Sequence, residues 1–258
     1  MSRLRAKCPH CKTFTAVALG PDYECHACGA TFAAGLVRVP RAWGEEGEAM
    51  AEAAWLEVPY PETAVIDAES LEEQSLALAS DLPERPLVLG GCCCAHVGAV
   101  EGLAARQGRL SLIWLDAHGD LNTPATSPSG NQWGMPLRML LDSGAVEAED
   151  TALVGARNLD PPEEDFLRSS GVHVGADGID RALEGAGCTY VAVDCDVLEP
   201  AEISVFMPEA GGLSLAELEA LLAEIPSRAT VLGAGLTGLS FEPSNVEPLV
   251  RLTTALGL

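Results

Sequence analysis

Basic side chains are scarce in this chain of 258 residues: 15 Lys and Arg stand against 38 Asp and Glu, a formal net charge of −23. That deficit argues against a generic electrostatic grip on nucleic acid, which needs clustered cations. Long apolar runs are also missing, so no segment reads as a bilayer span and no membrane role is expected. The N-terminal string MSRLRAKCPHC has basic residues but no apolar stretch after them. No signal peptide is expected there, and the cytoplasm is the expected compartment. Internal repeats and low-complexity tracts are lacking too. Most of the acid reads as solvated surface, with some carboxylates available as metal ligands.

Cysteine, by contrast, is plentiful, with nine residues. In a reducing compartment such thiols mark metal sites or catalysis rather than disulfides. Four of them form two C-x-x-C pairs, Cys8-Pro-His-Cys11 and Cys25-His-Ala-Cys28, thirteen residues apart. Each pair fits one tight turn with both sulfurs aimed at one point, and two such turns give the tetrahedral thiolate set that suits Zn²⁺. The intervening TFTAVALGPDYEC reads as strand, turn, strand. The spacing therefore predicts a structural zinc ribbon over residues 1–37, with metal supplying much of its folding energy. Residues 38–62, acidic and proline-bearing, read as a connecting segment that packs partly on the next domain.

From residue 63 to 258 short β-rich runs alternate with helical stretches. Strands are expected at 85–91, 109–117, 151–157 and 189–197, and in ATVLGAGL; helices at 95–107, 134–144, 161–171 and 214–224, and at the C-terminus. The Ser214–Glu217 pair is a capping box. This alternation implies a mostly parallel sheet covered on both faces, with functional groups beyond the carboxyl ends of the strands.

Three of those ends carry chemistry: Cys92-Cys93-Cys94 after LVLGG, Asp116-Ala-His118-Gly-Asp120 after LIWL, and Asp194-Cys-Asp196 after VAV. In locally extended chain, residues two apart share a face, so Asp116, His118 and Asp120 are expected together, as are Asp194 and Asp196. Four carboxylates converging without cations would repel one another severely. Two divalent metals balance them, and oxygen-rich ligands with an imidazole suit Mn²⁺ or, less selectively, other transition metals. Such a pair polarises a bridging water into hydroxide for hydrolysis.

WLDAHGDLNTPATSPSGN and VAVDCDVLEP closely resemble the ureohydrolases: arginase, agmatinase and formimidoylglutamase. The resemblance covers roughly residues 63–258. It implies a three-layer α/β/α fold, two manganese ions, attack of a metal-bridging hydroxide on a guanidino or amidino carbon, and trimers or hexamers. On the matching positions it makes Asp116, Asp120 and Asp194 ligands of one or both metals, and His118 and Asp196 ligands of the second. Asp120, Asp116 and His118 would form the catalytic core. The string from Asn122 to Asn131 is similar to arginase in particular. It points to Asn122, Ser129 and Asn131 for a substrate's α-carboxylate, and GARNLDP points to Asp160 for its α-ammonium.

Three positions depart from the pattern. Cys93 stands where a metal-binding His is expected, Trp133 where a proton-handling His is expected, and Ser240 where a Glu grips the guanidinium, with Glu242 two residues on. A Cys93 thiolate still binds metal but favours softer ions. Trp133 cannot shuttle a proton, and Ser240 cannot pair with a cation unless a shifted backbone lets Glu242 do so. The expected activity is thus C–N hydrolysis of a small-molecule substrate with an amino-acid end and an altered reacting end. A ureohydrolase-like pseudoenzyme that binds a partner through its ribbon is the alternative. His96 reads as a core residue or one backing the site, with a substitute metal ligand as the alternative; Trp114 reads as core, and Cys195 as a small hydrophobe facing away from the aspartates.

Overall fold

The computed structural model describes residues 5–258; the first four residues of the expected ribbon lie outside the described residues. The ribbon is a four-stranded antiparallel sheet of β1 (Arg5–Ala6), β2 (Ala16–Leu19), β3 (Asp22–Cys25) and β4 (Thr31–Phe32). Its core is small: Ala6, Ala16, Tyr23 and Phe32 pack with Cys8 and Cys25. So little apolar surface leaves stability to a metal or a neighbour.

The rest is built on one eight-stranded, wholly parallel sheet. Its strands are β5 (Gly35–Val39), β6 (Glu62–Val65), β7 (Pro86–Gly90), β8 (Ser111–Leu115), β9 (Thr151–Val154), β10 (His173–Val174), β11 (Cys188–Asp194) and β12 (Thr230–Thr237). They lie in the order β10-β9-β8-β11-β12-β7-β5-β6. Their apolar residues alternate between two cores. Ile113, Leu115, Val191 and Val193 enter one core. Leu112, Trp114, Tyr190 and Ala192 enter the other. The pleat's period of two sends neighbours to opposite faces, which is why these strands are apolar throughout.

Helices cover both faces. α1 (Glu48–Ala53), α6 (Gly178–Leu183), α7 (Leu215–Glu224) and α8 (Val246–Ala255) pack on the first core. α2 (Leu71–Asp81), α3 (Ala95–Gln107), α4 (Pro136–Asp142) and α5 (Pro161–Ser170) pack on the second. This is a three-layer α/β/α fold. Ser214 caps α7 through the expected box with Glu217.

The expected boundaries at 37 and 62 are corrected. β5 begins at Gly35 and runs parallel to β7 and β6, so the α/β unit starts inside the expected ribbon and takes in both ends of the 38–62 segment. The pairing that makes 35–39 a strand is with residues 86–90, too distant in sequence for local pattern to reveal. The ribbon sits against the sheet's terminal strand: Lys7 N–H donates to Glu62 O at 2.9 Å and Glu62 N–H to Lys7 O at 3.0 Å. That bridge covers part of an edge that would otherwise offer unpaired backbone groups.

Arg38 joins β5 to its surroundings. Its Nε donates to Glu62 at 2.8 Å, and its Nη1 donates to the carbonyls of Ala54 and Leu56. Arg38→Ala strands a carboxylate and two carbonyls, and is expected to cost about 3 kcal/mol, near the lower end for a broken buried pair. Urea unfolding of the variant checks it.

Candidate metal centre

β8 leads on to β9 on one side of the sheet and β11 to β12 on the other. The chain parts between two adjacent strands, and a crevice opens at their carboxyl ends. A cavity of about 180 Å³ lies there, lined by Cys92, Cys93, Asp116, His118, Asp120, Asn122, Asp160 and Asp194 among others.

The aspartates reach this point by a route other than strand alternation. β8 ends at Leu115, and β11 ends at Asp194 and turns into a 3₁₀ helix over Cys195–Val197. The expectation of a shared extended face is corrected accordingly: loop geometry converges these groups. Asp116 Oδ1 accepts from His118 N–H at 2.7 Å, and its Oδ2 accepts from Trp114 Nε1 at 3.1 Å. Asp196 Oδ1 accepts from Ala117 N–H at 3.0 Å, tying the two strand ends together. Asp194 Oδ1 accepts from Asp196 N–H at 3.1 Å. Asp120 has φ 53, a left-handed conformation for which Asp is among the more tolerant residues. Gly238 also has positive φ (73), and a Cβ there would fall 2.0 Å from Asp194 Oδ1, so only glycine fits beside that carboxylate.

Two sets of potential ligand atoms result. Those of Cys93, Asp116 and Asp120 lie within 4.8 Å of one another, and so do those of Asp116, His118 and Asp196. Asp116 belongs to both. Asp194 joins the first set through Cys93, whose Sγ donates to Asp194 Oδ2 at 2.9 Å.

Burial, followed by the neighbouring carboxylates Asp116 and Asp194, holds Asp120 well above the usual carboxylate range. Burial and then the Asp196 charge push Asp194 up to about 7. Burial raises Asp116 and Asp196 as well. The Cys93 thiol is pushed up by burial and then by Asp194, Asp120 and Asp116. His118 moves the other way. Burial opposes its charge, but contacts to Asp116 at 3.4 Å and Asp196 at 3.0 Å prevail and raise it to about 12.

One imidazole cannot neutralise four buried carboxylates. Asp120 Oδ2 is moreover buried with no hydrogen-bond partner. An orphaned carboxylate oxygen beside two ligand sets fits divalent cations, whose hard-oxygen preference matches the donors.

The substrate-side expectations divide. Asn122 is buried, donates from Nδ2 to Asp160 Oδ2 at 2.8 Å, and accepts from Thr126 at 2.9 Å. Asn122, Ser129 and Asp160 all line the cavity. Asn131 does not: its Oδ1 accepts from Glu45 N–H at 2.9 Å, which ties its side chain to the 41–47 loop. Glu242 is exposed and absent from the lining, with its N–H bonded to Ser240 O. No shifted backbone brings it in.

Other residues emerge only in three dimensions. Glu163 lines the cavity and is buried, its oxygens accepting from Leu121 N–H and Asp160 N–H at 2.9 Å each. The string Asp160-Pro-Pro-Glu163 carried that signal as a capping box. Glu209 lies 3.6 Å from His118 Nε2 and accepts from Asn158 at 2.9 Å. Thr237 touches both Cys93 Sγ at 3.1 Å and His96 at 3.2 Å. His96 itself is fully buried, bonded also to Tyr190, and burial lowers it to about 3. It is a neutral core residue. Cys195 packs in the opposite core, away from the site.

In the ribbon, Cys8, Cys11, Cys25 and Cys28 form one cluster. Cys8 and Cys28 sulfurs are 3.7 Å apart and those of Cys11 and Cys25 3.5 Å. A hydrogen bond from Thr15 outweighs burial and lowers Cys25 to about 6, whereas Cys28, despite a backbone hydrogen bond at Ala30, is pushed up to about 12 by Cys25 and by burial.

Known proteins are similar to this chain in sequence and in fold. An arginase of Bacillus caldovelox is 35% identical over 159 residues, covering 51% of this chain and 53% of that protein. An arginase of Bacillus subtilis strain 168 is 35% identical over 158 residues. The chain spans about half the length of the curated relatives it matches. In three dimensions the crystal structure of an arginase from Bacillus cereus aligns with a TM-score of 0.73 at 26% identity, covering 86% of this chain and 97% of that one. The Bacillus caldovelox arginase gives a TM-score of 0.74 at 24% identity, a likeness of fold. The matching region is residues 47–242, from α1 to just past β12, and it carries every aspartate of the candidate metal centre: this chain belongs to the arginase family.

Proposed function

We propose that this protein is a binuclear metal-dependent hydrolase of the ureohydrolase type, cleaving a C–N bond in a guanidino or amidino substrate with an amino-acid end. The observation that carries this reading is the pair of ligand sets sharing Asp116, beside an unpartnered Asp120 oxygen. Cys93, Asp116, His118, Asp120, Asp194 and Asp196 are the residues that would hold two divalent ions, Mn²⁺ by resemblance. When bound, such ions supply Lewis-acid activation of water and substrate at neutral pH.

The chain's own groups orient the substrate. The Asp160 carboxylate pairs with an α-ammonium, and the Asn122 amide and the Ser129 hydroxyl donate to an α-carboxylate. The Asn122–Asp160 hydrogen bond holds the two partners in one relation. Glu163 fixes the Asp120–Leu121 turn and the start of α5 through its two backbone bonds. With Trp133 and Ser240 in place of an imidazole and a carboxylate, the reacting end differs from the unsubstituted guanidinium of arginine. Urea release from arginine by the Mn²⁺-loaded protein at an ordinary arginase rate would overturn that last point.

The four ribbon cysteines are proposed to hold one structural Zn²⁺, for a total of two catalytic ions and one zinc per chain by metal analysis. A pseudoenzyme with ribbon zinc alone is the second reading, favoured by the same Trp133 and Ser240; that metal stoichiometry decides between them. Cys25→Ser is expected to remove one zinc per chain. It should also abolish hydrogen-exchange protection in β2 and β3 while β8 and β11 keep theirs, because the ribbon's core is too small to fold without metal. Association into trimers or hexamers, suggested by resemblance, is read by light scattering.

Among the described residues no helix is long and apolar enough to cross a membrane.

A further inference from the structure

The cavity has a second character beside its carboxylates. Met50, Cys92, Trp133 and Met207 also line it. Met50, Cys92 and Trp133 belong to one apolar cluster that includes Phe206. The Trp133 indole meets Phe206 edge-on at 6.2 Å between centroids. On its other flank the indole rests on the 42–47 loop, where a Cβ at Gly44 would lie 2.4 Å from the ring. Gln132 N–H donates to Trp43 O at 2.8 Å and Glu45 N–H to Asn131 at 2.9 Å, which pins the two loops together. Trp43 N–H reaches Cys92 Sγ at 3.4 Å, so the same loop also backs the cysteine next to Cys93. The indole is therefore seated rather than free to swing away.

This apolar side starts at Cys92, beside the ligand set where the reacting carbon must lie, and extends to Trp133. On that side a bare guanidinium or amidinium would lose hydration against sulfur and indole, with only the indole's π face to offset the loss. An alkyl or aryl group would instead bury apolar area. We propose that Trp133 is a specificity-determining residue and that the substrate's amidine or guanidine nitrogen carries an apolar substituent. The proposal rests on the hydrolase reading. For an Nω-alkyl arginine, water adds at the guanidine carbon and the bond to Nδ breaks. Nδ takes a proton and leaves as the amine of ornithine, and the substituent departs on the urea.

The test compares arginine, Nω-methyl-arginine and Nω-butyl-arginine. Calorimetry gives the affinity of each for the wild-type protein, and ornithine release gives turnover with Mn²⁺. Affinity is expected to rise along the series, with the butyl compound binding about tenfold or more tighter than arginine. Trp133→Gln should erase that ratio and Trp133→Phe should keep most of it, with thermal melts confirming that both fold. Equal or tighter binding of arginine, binding of none of the three, or a ratio unchanged in Trp133→Gln each overturns the proposal. Binding that follows the series without any ornithine release leaves the apolar selection standing and overturns the hydrolase reading instead.

Discussion

Asp120→Ala is expected to strip the site of metal and activity together. The variant should retain at most one non-ribbon divalent ion per chain, against two in the wild type. Hydrolysis should fall at least about 10³-fold, the scale of losing several kcal/mol of charge stabilisation. Asp120 contributes the only buried carboxylate oxygen among the described residues with no hydrogen-bond partner, so its sole evident role is ligation. The variant should fold well without metal, because it removes a carboxylate that burial and the charges of Asp116 and Asp194 hold far from its ordinary ionisation. Metal analysis beside thermal melting checks both halves. Wild-type metal content and rate in a folded variant would refute the ligand assignment.

The second large effect is expected at Cys93. In this chain the thiol contacts Asp194 and Thr237 and lies among the atoms of the first ligand set. As thiolate it softens an otherwise hard-oxygen set. Cys93→His is expected to shift the preference for Mn²⁺ over Zn²⁺ by on the order of 10–100-fold, the scale on which one changed partner moves metal affinity. Competition between the two ions, followed by metal analysis of the desalted protein, measures it. A ratio identical to wild type would show that Cys93 only packs against the site. The substitution has a steric limit, since Cys93 is buried beside Thr237 and Asp194, so the variant's melting temperature belongs in the same experiment.

Much of this site could be read from the chain alone. The D-x-H-x-D and D-x-D strings mark where strands end, and burying their charges together demands cations whatever the path of the backbone. Charge balance therefore points to the same candidate ligands although they do not share an extended face. Asp116 to Asp120 belong to a loop, and Asp196 to a 3₁₀ turn. The zinc-type cysteine pairs were legible for a similar reason: two tight turns with fixed spacing are local objects.

Asn131 and Glu242 were not legible, because motif position does not say what a side chain is already bonded to. Asn131 is engaged by Glu45, some 86 positions earlier, and Glu242 faces solvent. Met50 and Met207 carried no signal at all; they reach the cavity from distant parts of the chain, α1 and the connection between β11 and α7. β5 was hidden for the same cause, its partner being β7.

By itself, then, the amino-acid sequence determined the alternating α/β architecture and the cysteine cluster and marked the candidate ligands, because periodicity, tight turns and charge balance act over a few residues. Only the tertiary structure decided where the α/β unit begins, which polar groups line the cavity, and that an indole forms one side of the pocket. Those properties depend on contacts between residues tens of positions apart, and no local pattern encodes them.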